Sequence, residues 1–566
     1  MVKKWQIREN EEKEKIMIEK IQEKYNLNKL LATILVNKNI TTEEQLRLYL
    51  NPNRNDFYDP YLMNDMEIAI DRIVKAIENK EKVTIYGDYD VDGITSITVL
   101  SSFLKDVGLE VSYYIPNRLE EGYGLNKEAI KKIKDNGCDL MITVDCGIAS
   151  IEEVEYATSI GIETIITDHH EPGETIPRAL AVLDNKRKDS NYPFRELAGV
   201  GVAFKVTQAL AIRLGLKEES YLKYLDIVCV GTISDIVPLV DENRVITKLG
   251  MLLVRQTKNI GLKSILMSSG YSNIDSTAIS FGVAPRINAC GRMGKAEEAL
   301  ELLLSNDISK VKELTDKLNA HNKERQEIER NIFNNTIELI EKEHLNDNKV
   351  IVVAGENWHH GVIGIVSSKV TDMYFKPSIL VSFEEDGIGV GSGRSIPGFD
   401  LHAALTKCMD SIVRFGGHSM AIGITLEKDN MEQFRKEVEK IATEERIEEI
   451  VPIINIDLTL DLNEINKDMV KSLSKLEPFG EANKMPIFAL KNLKVDSIRT
   501  LSEGKHLKMT LRENNYVINA IGFNMGKYAD EYRIGDKIDV AGVLEINTFN
   551  GVENLQINLK DIMKSI

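Results

Sequence analysis

The sequence predicts an α/β protein with a parallel-sheet domain, a smaller α/β domain joined to it by a long helix, and a small C-terminal β-barrel. Three patterns support this fold class. Apolar runs of strand length alternate with amphipathic segments of helix length in the first half of the chain, which is typical of a parallel sheet covered by helices. A continuous helical pattern covers 307–343. Short alternating strands follow from Ile453 onwards, as in small barrels.

The composition is that of a globular protein with several domains. A chain of 566 residues is too long for one hydrophobic core, and an apolar content of 43% is ordinary. No stretch reads as a membrane span or a secretory signal, so we expect a cytoplasmic protein. The five cysteines form no CxxC pair, which disfavours a zinc ribbon. The net charge of −17 disfavours nucleic-acid binding over the whole surface, although an acidic protein can carry a local basic groove.

We place domain boundaries where these patterns change. The expected regions are an N-terminal helical segment at 1–60, a sheet domain at 61–306, a connecting helix at 307–345, a second α/β domain at 346–450 and a barrel at 451–566. The strands expected in the first sheet are 83–86, 140–144, 164–167 and 179–183. Those expected in the barrel are 454–460, 488–497, 506–512, 516–523, 537–545 and 555–562.

The stretch DYDVDG, residues 88–93, places three carboxylates at alternate positions directly after a predicted strand. It begins like the loop of an EF-hand, but position 12 of such a loop would be Val99 instead of Glu, and a strand precedes it. Neighbouring carboxylates repel one another when ionised, and a divalent cation allows all of them to stay charged. The stretch therefore indicates a metal site.

Further acids and imidazoles follow later apolar runs. Asp145 ends one predicted strand and Asp168-His169-His170 follows the next, at the edge of a parallel sheet where ligands bind. Asp235 follows the apolar run 227–230, which we interpret as a further strand. A single aspartate of this kind is more often a cap or turn residue, but four clusters at successive strand ends favour a metal centre. Carboxylates mixed with imidazole suit Mn²⁺, Mg²⁺ or Fe²⁺, and the number of acids favours two ions.

These segments resemble a known family. DYDVDG, VDCG, TDHHE and GTISDIVPL are similar to motifs I to IV of the DHH phosphoesterase superfamily. The order of the motifs and the stretch GVAPRINACGRMG, residues 282–294, resemble the RecJ single-strand-specific exonucleases. The segments GSGRS and GGHSMAIG are similar to the DHHA1 domain, and the terminal barrel resembles an OB-fold.

The resemblance implies a ligand set and a reaction. The implied metal ligands are Asp90, Asp92, Asp145, His169 and Asp235. Asp145 would bridge the two ions, and Asp88 would either bind an ion itself or support a residue that does. Asp168 and His170 would serve catalysis, with His170 orienting a ligand or touching the scissile phosphate. The implied reaction is 5′→3′ hydrolysis of single-stranded DNA to 5′-mononucleotides in DNA repair and recombination, using Mn²⁺ or Mg²⁺. A helicase and a single-strand binding protein are implied partners, and we expect a monomer.

The resemblance also marks candidate DNA contacts. Arg118 and Tyr123 are candidates for a pocket that holds the 5′ end, while Ser392 and Arg394 lie in a predicted glycine-rich turn that could grip a terminal phosphate. The remaining candidates are Arg286, Asn288 and Arg292, near the metals, and His418 in the glycine-rich GGH segment. Each of these side chains could instead make a structural hydrogen bond. We expect the charged residues of the long helix to be mainly solvated.

Three other functions stay open at this point. A DHH phosphodiesterase acting on short oligonucleotides or cyclic dinucleotides would need neither the 282–294 stretch nor the barrel. An inactive scaffold would be expected to have lost metal ligands, and this sequence retains them. A single-strand binding protein would expose more aromatic residues than the barrel sequence offers.

Overall fold

The computed structural model describes residues 3–118, 121–122, 124–549 and 551–565. The chain divides into two compact units. The first comprises residues 1–57, 238–249 and 451–566, and the second comprises 58–237 and 250–450. Within the described ranges, no helix has both the length and the apolar composition needed to cross a membrane.

The N-terminal part of the first unit is a short strand followed by three helices. They are β1 (Lys4–Ile7), α1 (Glu12–Tyr25), α2 (Lys29–Asn37) and α3 (Glu43–Leu50). The polar residue before α2 starts that helix, because the Asn28 side chain accepts a hydrogen bond from the Leu31 amide. Thr42 and Gln45 form a reciprocal capping box at the start of α3. Almost all of α2 is buried, so it serves as the core helix of this segment.

The second unit begins with a five-stranded parallel sheet in the order β3-β2-β4-β5-β6. Its elements are α4 (Met66–Asn79), β2 (Val83–Gly87), α5 (Val91–Asp106), β3 (Val111–Tyr114), α6 (Lys127–Asp135), β4 (Leu140–Val144), α7 (Ile151–Ser159), β5 (Glu163–Asp168), β6 (Ala181–Asp184) and α8 (Gly199–Arg213). The central strands β2 and β4 are buried along their whole length, as their apolar sequences require. The predicted parallel sheet is confirmed.

A helical region follows this sheet. It contains α9 (Glu219–Leu222), α10 (Leu225–Ser234), α11 (Asp241–Val254), α12 (Ile260–Ser268), a π-helical turn (Ala278–Val283), α13 (Ala284–Arg292), α14 (Ala296–Leu304) and α15 (Ile308–Lys342). The long helix α15 lies where the sequence predicted it. The interpretation of 227–230 as a strand was wrong, because these residues lie in α10. A short apolar run buried on all sides gives no periodicity that would separate a helix from a strand.

The second sheet of this unit is mixed, in the order β10-β11-β9-β8-β7, with only β7 and β8 parallel. Its elements are β7 (Ile351–Glu356), α16 (His360–Tyr374), β8 (Ser378–Phe383), β9 (Ile388–Arg394), α17 (Leu401–Thr406), β10 (Arg414–His418), β11 (Ala421–Glu427) and α18 (Met431–Glu444). Ser392 and Arg394 therefore lie in a strand instead of the predicted turn. The glycines of this strand leave space for neighbouring side chains, which the sequence alone could not distinguish from turn glycines.

The C-terminal part of the first unit is a closed barrel of five strands, β14-β15-β16-β18-β17, in which β17 pairs again with β14. Its elements are β12 (Ile453–Ile456), β13 (Leu458–Thr459), α19 (Lys467–Ser472), β14 (Phe488–Leu501), β15 (His506–Glu513), β16 (Tyr516–Gly522), α20 (Tyr528–Glu531), β17 (Lys537–Phe549) and β18 (Val552–Lys564). The predicted barrel is confirmed. Strand β1 pairs in parallel with β12, so the N-terminal strand joins the C-terminal part of the chain in this unit.

Short 3₁₀ turns complete the chain at Arg54–Asp56, Pro60–Leu62, Leu345–Asp347, Met409–Ser411, Lys428–Asn430, Ile447–Glu449, Leu462–Glu464 and Leu473–Leu476. The buried Arg244 anchors the 238–249 segment within the first unit. Its guanidinium lies 3.4 Å from the ring centre of Tyr49 and donates to the Tyr49 carbonyl over 2.7 Å.

Candidate metal centre and substrate-binding residues

The candidate metal ligands come from the carboxyl edge of the parallel sheet. Asp88 directly follows β2, Asp145 follows β4 and His169 follows β5. Because neighbouring parallel strands end at the same edge, these side chains are delivered to one place. Asp235 reaches the same place from the C-terminal end of α10. Asp90 and Asp92 come from the start of α5, so three sheet strands and two helices supply the candidate ligands.

The structure brings together the six residues that the sequence marked as metal ligands, with His170 beside them. Their ligand atoms form three groups, each with all atoms within 4.8 Å of one another. The groups are Asp88, Asp90 and Asp145; Asp92, His169 and Asp235; and Asp145, His169 and His170. Asp145 and His169 each belong to two of the groups, so the three groups form one continuous cluster.

His169 lies at the centre of the cluster. Its Nε2 atom is 3.1 Å from Asp145 Oδ1 and 3.6 Å from Asp235 Oδ2, but the ring makes no hydrogen bond to either or to any other described residue. Burial, together with the charge of His170, lowers the pKa of His169 to about 3. The ring is therefore neutral near neutral pH, which is the form that binds a metal ion.

Three aspartates of the cluster, Asp88, Asp92 and Asp145, are buried, and Asp90 and Asp235 are partly buried, without a matching number of cations. Burial and the charge of Asp90 raise the pKa of Asp88 to about 8 and that of Asp92 to about 7. Burial raises the pKa of Asp145 and Asp235 well above the usual range, and Asp92, followed by Asp90, is the strongest repelling charge on both. Asp88 Oδ1 and Asp235 Oδ2 are buried and have no hydrogen-bond partner among the described residues. Such an oxygen-rich set with one neutral imidazole fits a divalent cation.

Backbone amides at the start of α8 hold one carboxylate in place. Asp92 accepts hydrogen bonds from the Gly199 amide over 2.6 Å and from the Val200 amide over 2.8 Å. The N-terminus of a helix favours a negative charge at this position. Only glycine fits at 199, since a Cβ atom there would lie 2.8 Å from Asp145 Oδ1.

Two turns that carry ligands have backbone angles that non-glycine residues rarely adopt. Asp145 has φ 59°, and Ile236, next to Asp235, has φ 63°. This region is especially unfavourable for a β-branched residue such as isoleucine, and strain of this kind is concentrated at functional sites. The sequence gives no signal for either angle.

Asp168 holds the second histidine and does not face the cluster as a ligand. It accepts hydrogen bonds from the amides of Ile148 over 2.9 Å and His169 over 2.7 Å, and it lies 2.7 Å from His170 Nδ1. Burial would raise the pKa of Asp168, but the hydrogen bond with His170, the charges of both histidines and the Ile148 amide together lower it. Burial would lower the pKa of His170, but the hydrogen bond and charge of Asp168, together with the charges of Asp92 and Asp88, raise it. Asp168 is therefore a positioning residue for His170.

A cluster of arginines lies beside the acidic centre. Arg292 donates to the Gly361 carbonyl over 2.7 Å, and the Arg118 guanidinium lies 5.1 Å from the ring centre of Tyr89. Burial, followed by the charges of Arg118, Arg325 and Arg394, lowers the pKa of Arg292 to about 10. Arg118, Arg325 and Arg394 thus place positive charge around Arg292, and guanidinium groups are well suited to hold an anion.

Arg394 and Ser392 face this cluster from β9. Arg394 Nη1 donates to Ser392 Oγ over 2.9 Å and to the Gly393 carbonyl over 2.8 Å. Gly364 of α16 leaves the space that the guanidinium occupies, since a Cβ atom there would lie 3.1 Å from Arg394 Nη2. Burial and the charge of Arg118 lower the pKa of Arg394.

The other candidate DNA contacts lie elsewhere or are engaged within the chain. Arg286 donates to Asn319 over 2.7 Å and to the Gly282 carbonyl over 2.6 Å, and Asn288 accepts from the Val91 amide over 3.3 Å. His418 is exposed at the end of β10. Tyr123 lies outside the described residues.

Three family models match the chain. They are the DHH family, N-terminal domain, over residues 82–232, the DHHA1 domain over 347–444, and the RecJ OB domain over 456–561. The single-stranded-DNA-specific exonuclease RecJ of Bacillus subtilis is 39% identical over 550 residues, which cover 96% of this chain and 69% of that protein.

The chain belongs to the RecJ family.

Solved RecJ structures agree with this assignment. RecJ of Thermus thermophilus in complex with Mn²⁺ superposes with a TM-score of 0.85 at 27% identity, covering all of this chain and 80% of that one. The Mg²⁺ complex of the same protein gives a TM-score of 0.78 at 26% identity and covers 79% of that chain. The RecJ fold thus extends over both units.

The sequence did not predict that two cationic side chains of this RecJ-family chain, Arg325 and Lys186, would lie near the candidate metal centre. Arg325 of α15, expected to be mainly solvated, is largely buried, donates to Asn322 over 2.7 Å and pairs with the buried Glu329. The i, i+3, i+7 spacing of these residues is the only sequence signal for them. Lys186 follows β6, and its charge lowers the pKa of Asp235 against the effect of burial. No motif marks Lys186.

Proposed function

We propose that this chain is a metal-dependent exonuclease that degrades single-stranded DNA. The observation that carries the proposal is the buried cluster of aspartates around a neutral His169, in a chain of the RecJ family. Buried charged side chains that serve only the structure are normally paired with opposite charges. The carboxylates of this cluster instead become neutral only by protonation or by binding cations.

We assign Asp88, Asp90 and Asp145 to one ion and Asp92, His169 and Asp235 to a second, with Asp145 shared. Mn²⁺ or Mg²⁺ suits both sets, because carboxylates outnumber imidazoles in them. When bound, such ions supply a hydroxide nucleophile near neutral pH and offset charge on the phosphodiester oxygens. The amides of Gly199 and Val200 keep Asp92 in place for this role.

We assign Asp168 and His170 to the catalytic step as a pair. Asp168 fixes the imidazole through Nδ1, so that Nε2 of His170 is the atom that would meet a phosphate oxygen. Charge develops on those oxygens as phosphorus is attacked, and a positioned donor stabilises it. Asp168 acts only through His170.

The direction of digestion is the part of the proposal that depends on the arginines. We infer that Arg118, Ser392 and Arg394 hold a 5′-terminal phosphate and that Arg292 supports them. A guanidinium binds phosphate through two parallel hydrogen bonds, and a terminal phosphate carries more charge than an internal one. Anchoring the 5′ end beside the metals would give 5′→3′ digestion with release of 5′-mononucleotides.

The test is a time course with Mn²⁺ on single strands that carry a 5′-phosphate and a label at either the 5′ or the 3′ end. We expect a 5′ label to appear in mononucleotides at the earliest times, while a 3′ label passes through progressively shorter strands. A blunt duplex of the same sequence serves as the control and should resist. Cleavage of dinucleotides or cyclic dinucleotides with long strands left intact would instead support the alternative DHH phosphodiesterase.

We further propose a setting in DNA repair and recombination in the cytoplasm, where a helicase would supply single strands and a single-strand binding protein would cover them. The family assignment supports this setting. We expect a monomer. Light scattering of the purified chain alone would test the expected monomer. The same measurement with a helicase or a single-strand binding protein added would test the expected complexes.

A further inference from the structure

A groove of about 480 Å³ lies where the middle of α15 meets the loop that precedes α16. Its size is within the range of small-ligand sites. Ile332 and Trp358, both buried, and the partly buried Ile328 supply its apolar surface. Three exposed asparagines and His359 line the remainder. None of the described residues that line the groove is an acid, a lysine or an arginine, which distinguishes it from the phosphate-binding arginines nearby.

Two polar groups of the groove have fixed hydrogen-bonding roles. Asn335 Oδ1 accepts from Trp358 Nε1 over 3.2 Å, so the Nδ2 amide is the part of that side chain left for a ligand. His359 Nδ1 accepts from the Gly361 amide over 3.1 Å, which assigns the proton of the neutral ring to Nε2. Burial lowers the pKa of His359 and supports the neutral form. The groove thus offers two donors, from Asn335 and His359.

The groove adjoins the arginine cluster. His359 is the residue before α16, and Gly361 in the first turn of that helix accepts the hydrogen bond from Arg292. The charge of Arg118 also acts on His359. A strand whose phosphate lies at the arginines would therefore bring a base of the same or a neighbouring nucleotide to the groove.

We propose that this groove binds a nucleobase of the substrate strand and prefers thymine or guanine to adenine. Apolar surface accommodates the face of a base, and the two donors match carbonyl-bearing edges such as O4 of thymine or O6 and N7 of guanine. Adenine presents an amino donor at the corresponding position and leaves one protein donor unpaired. The inference rests on the proposed exonuclease function and adds a base preference to it.

The experiment uses 5′-phosphorylated thymidine strands with one adenine at successive positions, digested by the full chain with Mn²⁺. For the wild type we expect one position at which adenine lowers kcat/KM by about 3–10-fold, mainly through KM. Asn335→Asp keeps the acceptor for Trp358 but replaces the amide donor with an acceptor, so the preference should vanish or reverse. Asn334→Asp adds the same charge at the adjacent exposed residue of α15 and should keep the preference.

The outcomes separate this inference from the proposed function. If strands are degraded but wild type and Asn335→Asp respond identically to every adenine, the groove does not bind a base and the inference is overturned. If no strand is degraded, the proposed function fails. In that case, fluorescence anisotropy of the same strands without divalent ions decides the inference, because the ratio of thymine to adenine affinities must still differ between wild type and Asn335→Asp.

Discussion

At the carboxyl edge of the parallel sheet, aspartates surround His169 with few cations to pair with them, whereas at the opposite edge the buried Arg72 of α4 is paired with two glutamates. Arg72 donates to Glu163 over 2.6 Å and to Glu81 over 2.5 Å. Burial would raise the pKa of Glu81, but the hydrogen bonds with Arg72 and Asn79, together with the charge of Arg72, lower it.

The two edges of this sheet use buried charge in different ways. At the amino edge the chain satisfies its own charge, so the contribution is to stability. At the carboxyl edge the aspartates keep raised pKa values, which makes the folded chain less stable until a ligand binds. Substitution of an aspartate at the carboxyl edge should therefore lower activity and raise the stability of the metal-free chain. Substitution of Arg72 at the amino edge should lower stability and leave activity unchanged.

The largest expected effect is the loss of activity in Asp145→Asn. This change removes the ligand shared by both proposed ions, and we expect kcat/KM on a labelled single strand to fall by about 10²–10³-fold or more. The same change removes a repelling charge, so the metal-free variant should unfold at a higher temperature than metal-free wild type. Full activity in the variant would contradict the ligand assignment.

Metal removal should make stability depend on pH. The pKa values of Asp88 and Asp92 are raised in the folded chain, so their contribution to stability is complete below about pH 4 and is lost as the pH rises towards about 8. With EDTA, the melting temperature should therefore fall between about pH 5 and pH 8, and Mn²⁺ should raise it more at the higher pH. Equal stabilisation by Mn²⁺ at both pH values would argue against binding at these carboxylates.

The opposite edge should respond through stability alone. Arg72→Met leaves Glu81 and Glu163 without their cation, and we expect a loss of about 1–3 kcal/mol in the free energy of unfolding. This is below the cost of breaking a fully buried pair, because the Glu163 side chain is 50% exposed. Activity per folded molecule should be unchanged, which a parallel denaturation and nuclease assay would show. A loss of activity without a loss of stability would contradict the comparison.

The smallest effect is expected at a surface pair near the same sheet. Lys127 and Glu152 lie 2.9 Å apart with side chains 49% and 78% exposed. Water and salt screen such a pair, so Lys127→Ala should leave the melting temperature and its salt dependence unchanged within error. A resolved shift would mean that exposed pairs also contribute to the stability of this sheet.

Much of this architecture could be predicted from the sequence, because its signals are local. The strands β2, β4 and β5 are short runs rich in β-branched residues, and each is followed at once by the acid or imidazole that it delivers to the centre. The long helix and the barrel strands likewise show their own periodicities. The resemblance to the family motifs further predicted which of these residues are the metal ligands.

The parts that could not be predicted depend on contacts between distant segments. Asp235 follows a helix that the sequence could not distinguish from a strand, because its apolar run is buried on all sides. Arg286 is held by Asn319 of α15, which is distant in the sequence. The groove at Trp358 forms only where α15 approaches the loop before α16, and its asparagines match no motif. The positive φ of Asp145 is likewise a product of the folded site.

The most direct test of the central claim is anomalous diffraction from a crystal of this chain soaked in Mn²⁺, with data collected on both sides of the manganese absorption edge. We predict two neighbouring manganese peaks beside Asp145, each about 2–2.6 Å from its carboxylate ligands, with His169 Nε2 bound to one of the two ions. A map without peaks there, or with manganese bound only at surface carboxylates, would contradict it.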